Sequence, residues 1–192
     1  MDFWGNPLYV GSPDIGAHET TVQDPPSSGT VFHPTADAYV RNGTYANTNY
    51  GSDTGMWVKS DTSGYARKSY LKFEYAALGG SSAASAKLRL FVDSVNTDAS
   101  RTVSVYGTAE TWSETGLNWN NAPAGATLIG SINVSNTAGV WYEADVTGYV
   151  NGNMSDKQVA FLLVNEGAFS SMGDVQFNSR EASVRPPELV IE

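Results

Sequence analysis

The segments KSYLKFEY at 68–75 and AKLRLFV at 86–92 decide the fold of this 192-residue chain. In each, apolar side chains recur at every second position: Leu71 and Phe73 in the first, Ala86, Leu88, Leu90 and Val92 in the second. A strand sends alternate side chains to opposite faces, so these apolar sets point into a core. The same period places Lys68, Tyr70 and Lys72 outward from one segment and Lys87, Arg89 and Phe91 outward from the other.

Eight further segments share this character: DAYV at 37–40, MWVK at 56–59, TVSVYGT at 102–108, TLIGSINV at 127–134, VWYEADV at 140–146, QVAFLLVN at 158–165, DVQFNS at 174–179 and PELVIE at 187–192. Each is rich in β-branched or aromatic residues and bounded by Gly, Asn, Ser or Pro. Only the short run VTGYVNG has apolar spacing suited to a helical turn. Ten short strands without alternating helices predict an all-β chain, an antiparallel β-sandwich of the jelly-roll kind. Composition agrees: 19 glycines, and only 16% charged residues against roughly 25% in an average soluble domain.

A hydrophobic fraction of 41% is enough for a real core. The absence of cysteine excludes disulfides and Cys-ligated zinc. No apolar run reaches the roughly 20 residues that a membrane-spanning helix needs. The net charge of −9 disfavours nucleic acid, whose phosphates require facing cations. That charge is unevenly distributed, because residues 59–89 hold six cations against Asp61 and Glu74 and are net positive.

By parity, Val58 inward sends Lys59 outward, and Val103 with Val105 inward sends Tyr106 outward. One sheet face is therefore expected to carry Lys59, Lys68, Tyr70, Lys72, Lys87, Arg89 and Tyr106. Arg67 has the opposite parity from Lys68 and joins only through a bulge or an altered strand start; Arg180 in FNSREA joins from a neighbouring strand. Ammonium and guanidinium groups interleaved with aromatic rings suit an acidic polysaccharide, with the cations on its carboxylates and the rings on its sugar faces. The competing reading is a plain solvated outer face.

Both histidines, His18 and His33, fall outside the strand-rich region, so it lacks the usual general base. Glu110 and Glu114 flank Trp112 in TAETWSETGLNWNNAP, where a solvated or backbone-capping role outweighs paired-carboxylate catalysis. Trp112 and Trp119 read as plugs at the end of the sandwich rather than sugar platforms. Oxygen-only ligand sets favour calcium over zinc. The loop NTNYGSD offers Asn47, Asn49, Ser52 and Asp53, with Asp37 on the preceding strand and Glu181 near the last one; turn formation alone also explains these residues.

Three regions follow: residues 1–19, turn-rich and coreless; 20–35, a linker with Pro25, Pro26, Ser27, Ser28 and Gly29; and 36–192, the folded unit. The start, MDFWGNPLYVG, has no signal-peptide pattern, so a secreted parent would carry its signal upstream.

Within 36–192, ADAYVRNGTYANTNYG, WVKS, RKSYLKFEY, AKLRLFV, TWSETGLNWNNAP, FNSREA and RPPELVIE occur in the order of the DNRLRE-type domain, which includes carbohydrate-binding module family 96, and the chain resembles that family. The resemblance implies a non-catalytic β-sandwich module of a secreted polysaccharide-active enzyme, with alginate as ligand and a structural calcium ion. DFWGNPLYVGSPDIGAHE is similar to the closing segment of right-handed parallel β-helix proteins, including alginate lyases of polysaccharide lyase family 6. That likeness implies that 1–19 are the remnant of an upstream catalytic β-helix domain. The expected ligand set is then Lys59, Arg67, Lys68, Tyr70, Lys72, Arg89, Tyr106 and Arg180 for the sugar and Asp37, Asn47, Asn49 and Glu181 for calcium. Two other functions compete: a structural or adhesin-like surface spacer, whose cations would be paired internally, and a jelly-roll lyase using Tyr with Lys or Arg.

Overall fold

Every one of the ten alternating segments forms a strand in the computed structural model, which describes residues 28–192 except 62, 63, 169 and 171. Among the described residues there are eleven strands: β1 (Thr30–Phe32), β2 (Ala36–Arg41), β3 (Gly55–Val58), β4 (Arg67–Glu74), β5 (Ala86–Val95), β6 (Ser100–Thr108), β7 (Gly125–Ser135), β8 (Val140–Asp145), β9 (Gln158–Asn165), β10 (Val175–Asn178) and β11 (Glu188–Ile191). The helical turn expected at VTGYVNG is α1 (Thr147–Gly152). Tyr75 anchors that turn, its hydroxyl donating to the carbonyls of Val150 at 3.3 Å and Asn153 at 3.1 Å.

All strand pairings are antiparallel. One sheet runs β2-β4-β9-β6-β7. The other is built on the ten-residue β5, which pairs with β8 along one side and with β11 and then β10 along the other, while β1 extends β11 and β3 extends β10. Leu71 and Phe73 of β4, Val103 and Val105 of β6 and Phe161 of β9 pack against Leu88, Leu90 and Val92 of β5, Phe177 of β10 and Leu189 of β11. Phe73 and Phe161 meet edge to face with centroids 6.0 Å apart. The alternation read from the sequence is thus the alternation of a β-sandwich.

Residues 109–124 connect β6 to β7 and fold over the outer face of the five-stranded sheet. There Trp112 and Leu117 join Ala36, Ala38 and Val40 of β2, Tyr70 of β4 and Leu162 of β9 in a second apolar cluster. Trp112 is buried as expected of a plug, but it covers the outer face of the five-stranded sheet rather than the end of the sandwich.

Two expectations change. Thr30–Phe32, expected within the linker, pair with Leu189–Ile191 as β1 and belong to the sandwich; residues 1–19 and the rest of that linker up to residue 27 lie outside the described residues. The expected single cationic face divides, because β4 and β6 belong to one sheet and β3 and β5 to the other. Period two says which side of a strand a residue occupies but not which sheet the strand joins, and the connection between β4 and β5 crosses the sandwich instead of forming a hairpin.

Phe161→Ala, which opens a cavity in the main core, is expected to cost about 3–5 kcal/mol in urea unfolding. Leu128→Ser, at a side chain 57% exposed, is expected to cost no more than about 0.5 kcal/mol.

Candidate functional site

Several of the expected ligand residues are already engaged within the protein. Arg89 lies on the six-stranded sheet, opposite the Lys68 face, and is only 4% exposed. Its guanidinium meets Glu188 at 2.6 Å and Glu143 at 3.3 Å and stacks over Trp141. Lys87 beside it pairs with Glu143 at 2.9 Å. Lys59 and Arg67 exchange backbone hydrogen bonds; Lys59 pairs with Asp61 at 3.0 Å, and Arg67 stacks on Trp57 with Asp174 at 3.7 Å. Arg67 therefore follows its parity, away from Lys68. Arg180 is held by Glu114, with its Nη1 2.9 and 2.8 Å from the two carboxylate oxygens.

Tyr70 has the outward parity expected of it, yet it is 2% exposed because the 109–124 segment covers it. Its hydroxyl donates to the Pro123 carbonyl at 2.9 Å, and its ring meets Trp112 edge to face. Tyr70 thus holds the loop and cannot pack on a sugar ring. Lys72 also secures this segment, since its ammonium donates to the Trp112 carbonyl at 2.7 Å and lies 4.8 Å over the indole.

What remains open on this face centres on Lys68, Trp119 and Tyr106. Lys68 is half-buried, with its ammonium 4.9 Å over the Trp119 ring, a cation–π contact on a surface that water can reach. Tyr106 lies in the cross-strand row Ala38-Tyr70-Leu162-Tyr106-Leu128, and Ser104 pairs with Val164 one step along. The Tyr106 hydroxyl donates to Glu166 at 2.6 Å and Ser104 donates to the other Glu166 oxygen at 2.9 Å. These two hydrogen bonds, with a smaller contribution from Lys68, hold the Glu166 carboxyl below its ordinary range. Sequence reasoning misses Glu166, although extending the outward parity of Leu162 and Val164 by two residues reaches it. Trp119, read from the sequence only as a plug, is partly buried and carries Lys68 on its ring.

A second polar centre lies where β2 meets the 109–124 segment and the segment after β10. Carboxylate oxygens of Asp37, Glu114 and Glu181 all fall within 4.8 Å of one another. Asp37 is 1% exposed, and burial pushes its carboxyl up to about 8 although it accepts the Arg180 backbone N–H at 2.7 Å. Glu114 accepts from the Asp37 backbone N–H at 2.9 Å. The Oε2 of Glu181 is buried with no hydrogen-bond partner among the described residues. Three hard oxygen donors, one buried and one with an orphaned oxygen, fit a cation of the calcium type.

Of the four calcium ligands read from the sequence, Asp37 and Glu181 converge here and the two asparagines do not. Asn49 donates to the carbonyls of Glu114 at 2.6 Å and Leu117 at 2.8 Å, and Asn47 accepts from Asn120 at 2.7 Å. Both amides clamp the 109–124 segment, and Gly51 lets the chain approach, since a Cβ there would collide with the Glu114 carbonyl oxygen. Glu114 is the third carboxylate, and the capping role expected of it holds as well.

In chelator, Asp37 keeps a proton in the folded state up to about pH 8 that the unfolded chain releases near pH 4. Its contribution to stability is therefore full below pH 4 and lost as pH rises through 8. The melting temperature is expected to fall between pH 5 and 8.5 by more in the native sequence than in Asp37→Asn; equal falls would show that Asp37 does not titrate this way.

Comparison with known proteins gives two findings. A gellan lyase of Bacillus sp is 30% identical over 174 residues, covering 86% of this chain and 7% of the lyase, so the chain spans a small part of that relative's length. Residues 28–192, the whole described sandwich, match carbohydrate-binding module family 96. The chain belongs to carbohydrate-binding module family 96, a family of non-catalytic sugar-binding domains.

Proposed function

We propose that the module binds an acidic polysaccharide through the outer face of the five-stranded sheet and thereby holds a covalently linked polysaccharide lyase on its substrate. The observation that carries this reading is the Lys68 ammonium poised over Trp119, beside the Tyr106–Glu166 pair. A cation seated on an aromatic ring offers a uronate its counter-charge, and the ring edge and the Tyr106 hydroxyl offer the sugar surfaces to rest on. The sequence resemblance supports alginate, and the lyase relative supports gellan; both polymers carry uronates. An enzyme of this kind acts outside the cell, so the parent protein is secreted. The β-helix resemblance of residues 1–19 supports an upstream catalytic domain, and tethering raises the substrate concentration that such a domain meets.

Asp37, Glu114 and Glu181 would hold a calcium ion as a structural cofactor. The ion would offset the charge that burial disfavours at Asp37 and would tie β2 to the 109–124 segment through Glu114. Calcium is expected to raise the melting temperature of the native protein and leave Glu181→Gln nearly unchanged. Equal responses, or none, would show that Arg180 alone balances these carboxylates.

A second reading, the structural spacer, draws on the pairing of Lys59, Arg67, Lys87, Arg89 and Arg180 with carboxylates of the same chain. Affinity electrophoresis separates the two. Binding predicts retardation in gels containing an acidic polysaccharide, reduced about fivefold by Lys68→Ala and also reduced by Trp119→Ala, with steep weakening in salt. Arg89→Ala, on the opposite face, is expected to leave retardation unchanged. Identical migration with and without polysaccharide would leave only the spacer.

A further inference from the structure

The open face carries very little positive charge for a surface that meets a polyanion. All eleven cations of the chain lie among the described residues. On the outer face of the five-stranded sheet they reduce to Lys68 and Lys72. Lys59, Arg67, Lys87, Arg89 and Arg180 are each engaged by carboxylates elsewhere. Arg101 and Lys157 donate to backbone carbonyls, and Arg41 and Arg185 lie over the rings of Tyr45 and Phe91. Lys72 is turned under the loop onto the Trp112 carbonyl, and its charge acts on Glu110. Lys68 is thus the cation on the open part of the face, with Trp119 beneath its ammonium.

Next to that single positive charge stands a fixed negative one. Glu166 is oriented by the hydroxyls of Ser104 and Tyr106, and its lowered pKa keeps it a carboxylate throughout the neutral range. Around the pair the face is uncharged: Val164 and Leu128 are apolar and Ser131 is a hydroxyl. A carboxylate next to Lys68 gains from the ammonium, whereas a carboxylate on the adjoining sugar meets Glu166 and is repelled. A neutral sugar at that second position instead presents hydroxyl donors to the Glu166 oxygens, which accept charge-assisted hydrogen bonds. Like charges placed together across an interface discriminate between ligands more than they change affinity for the correct one.

We infer that this face reads the spacing of charge along its ligand: it takes a polysaccharide in which each uronate is flanked by uncharged sugars and disfavours one that carries a carboxylate on every residue. Lys68 with Trp119 forms the uronate position, and Glu166 with Tyr106 and Ser104 forms the neutral-sugar position. The inference rests on the binding function proposed above and adds the class of polymer.

The test is affinity electrophoresis in gels of native alginate, of the same alginate with part of its carboxylates reduced to alcohols, and of gellan, whose uronates are separated by neutral sugars. Native protein, Glu166→Gln and Lys68→Ala are compared after confirming equal melting temperatures. The native protein is expected to bind gellan and the partly reduced alginate about fivefold more tightly than native alginate. Glu166→Gln keeps an acceptor oxygen for Tyr106 while removing the charge, and is expected to gain about fivefold on native alginate and close most of that gap. Strongest binding to native alginate, or a gap unaltered by Glu166→Gln, would overturn the inference and leave the binding function standing. No retardation in any of the gels would remove the binding function itself and the charge-spacing inference with it.

Discussion

The docking of residues 109–124 onto the outer face of the five-stranded sheet is the constraint on which the rest of the site depends. An outer sheet face with Ala36, Ala38, Val40, Tyr70 and Leu162 in neighbouring strands is apolar and needs a cover; Trp112 and Leu117 supply it. Polar anchors set the position of the cover at both ends. Tyr70 and Lys72 hold the Pro123 and Trp112 carbonyls from the sheet, while Asn49 holds the Glu114 and Leu117 carbonyls from the loop before β3. From this one docking event follow the placement of Trp119 under Lys68 and of Glu114 beside Asp37. The Lys68–Trp119 surface and the carboxylate cluster therefore both depend on one loop, and an ion at the cluster would stiffen the segment that carries Trp119.

Alternation in KSYLKFEY and AKLRLFV is sufficient to read the strands, their inward sets and the sandwich, because period two is a local property of the chain. Sheet membership is a long-range property. Nothing in the eleven residues between Glu74 and Ala86 shows that the chain crosses to the second sheet, and so parity groups Arg89 with Lys72 although the two face opposite exteriors. Tyr70 shows a further limit of parity. Its outward direction is legible, but outward is equivalent to exposed only where no loop lies above, and the loop is distant in sequence.

The site is partly readable for the same reasons. Asp37 and Glu181 can be paired across the sequence by their placement near strand ends, and they do converge. The asparagines cannot be told from turn formers, since a side-chain amide that clamps a loop and one that ligates an ion have the same sequence signature. Glu166 escapes notice because it sits one residue beyond β9, where the alternation that reveals its neighbours ends. Its importance comes from Ser104 and Tyr106 on a neighbouring strand, a relation that only the register of β6 against β9 makes visible.

The most direct test of ligand binding at the loop-built face is lysine footprinting by mass spectrometry with and without an acidic polysaccharide. Lys68 and the more exposed Lys87 lie on opposite exteriors of the sandwich, so each serves as the control for the other. Reduced modification of Lys68 with Lys87 unchanged is the expected result. Protection of Lys87 with Lys68 unaffected would contradict it and move the binding surface to the face of β5 and β8.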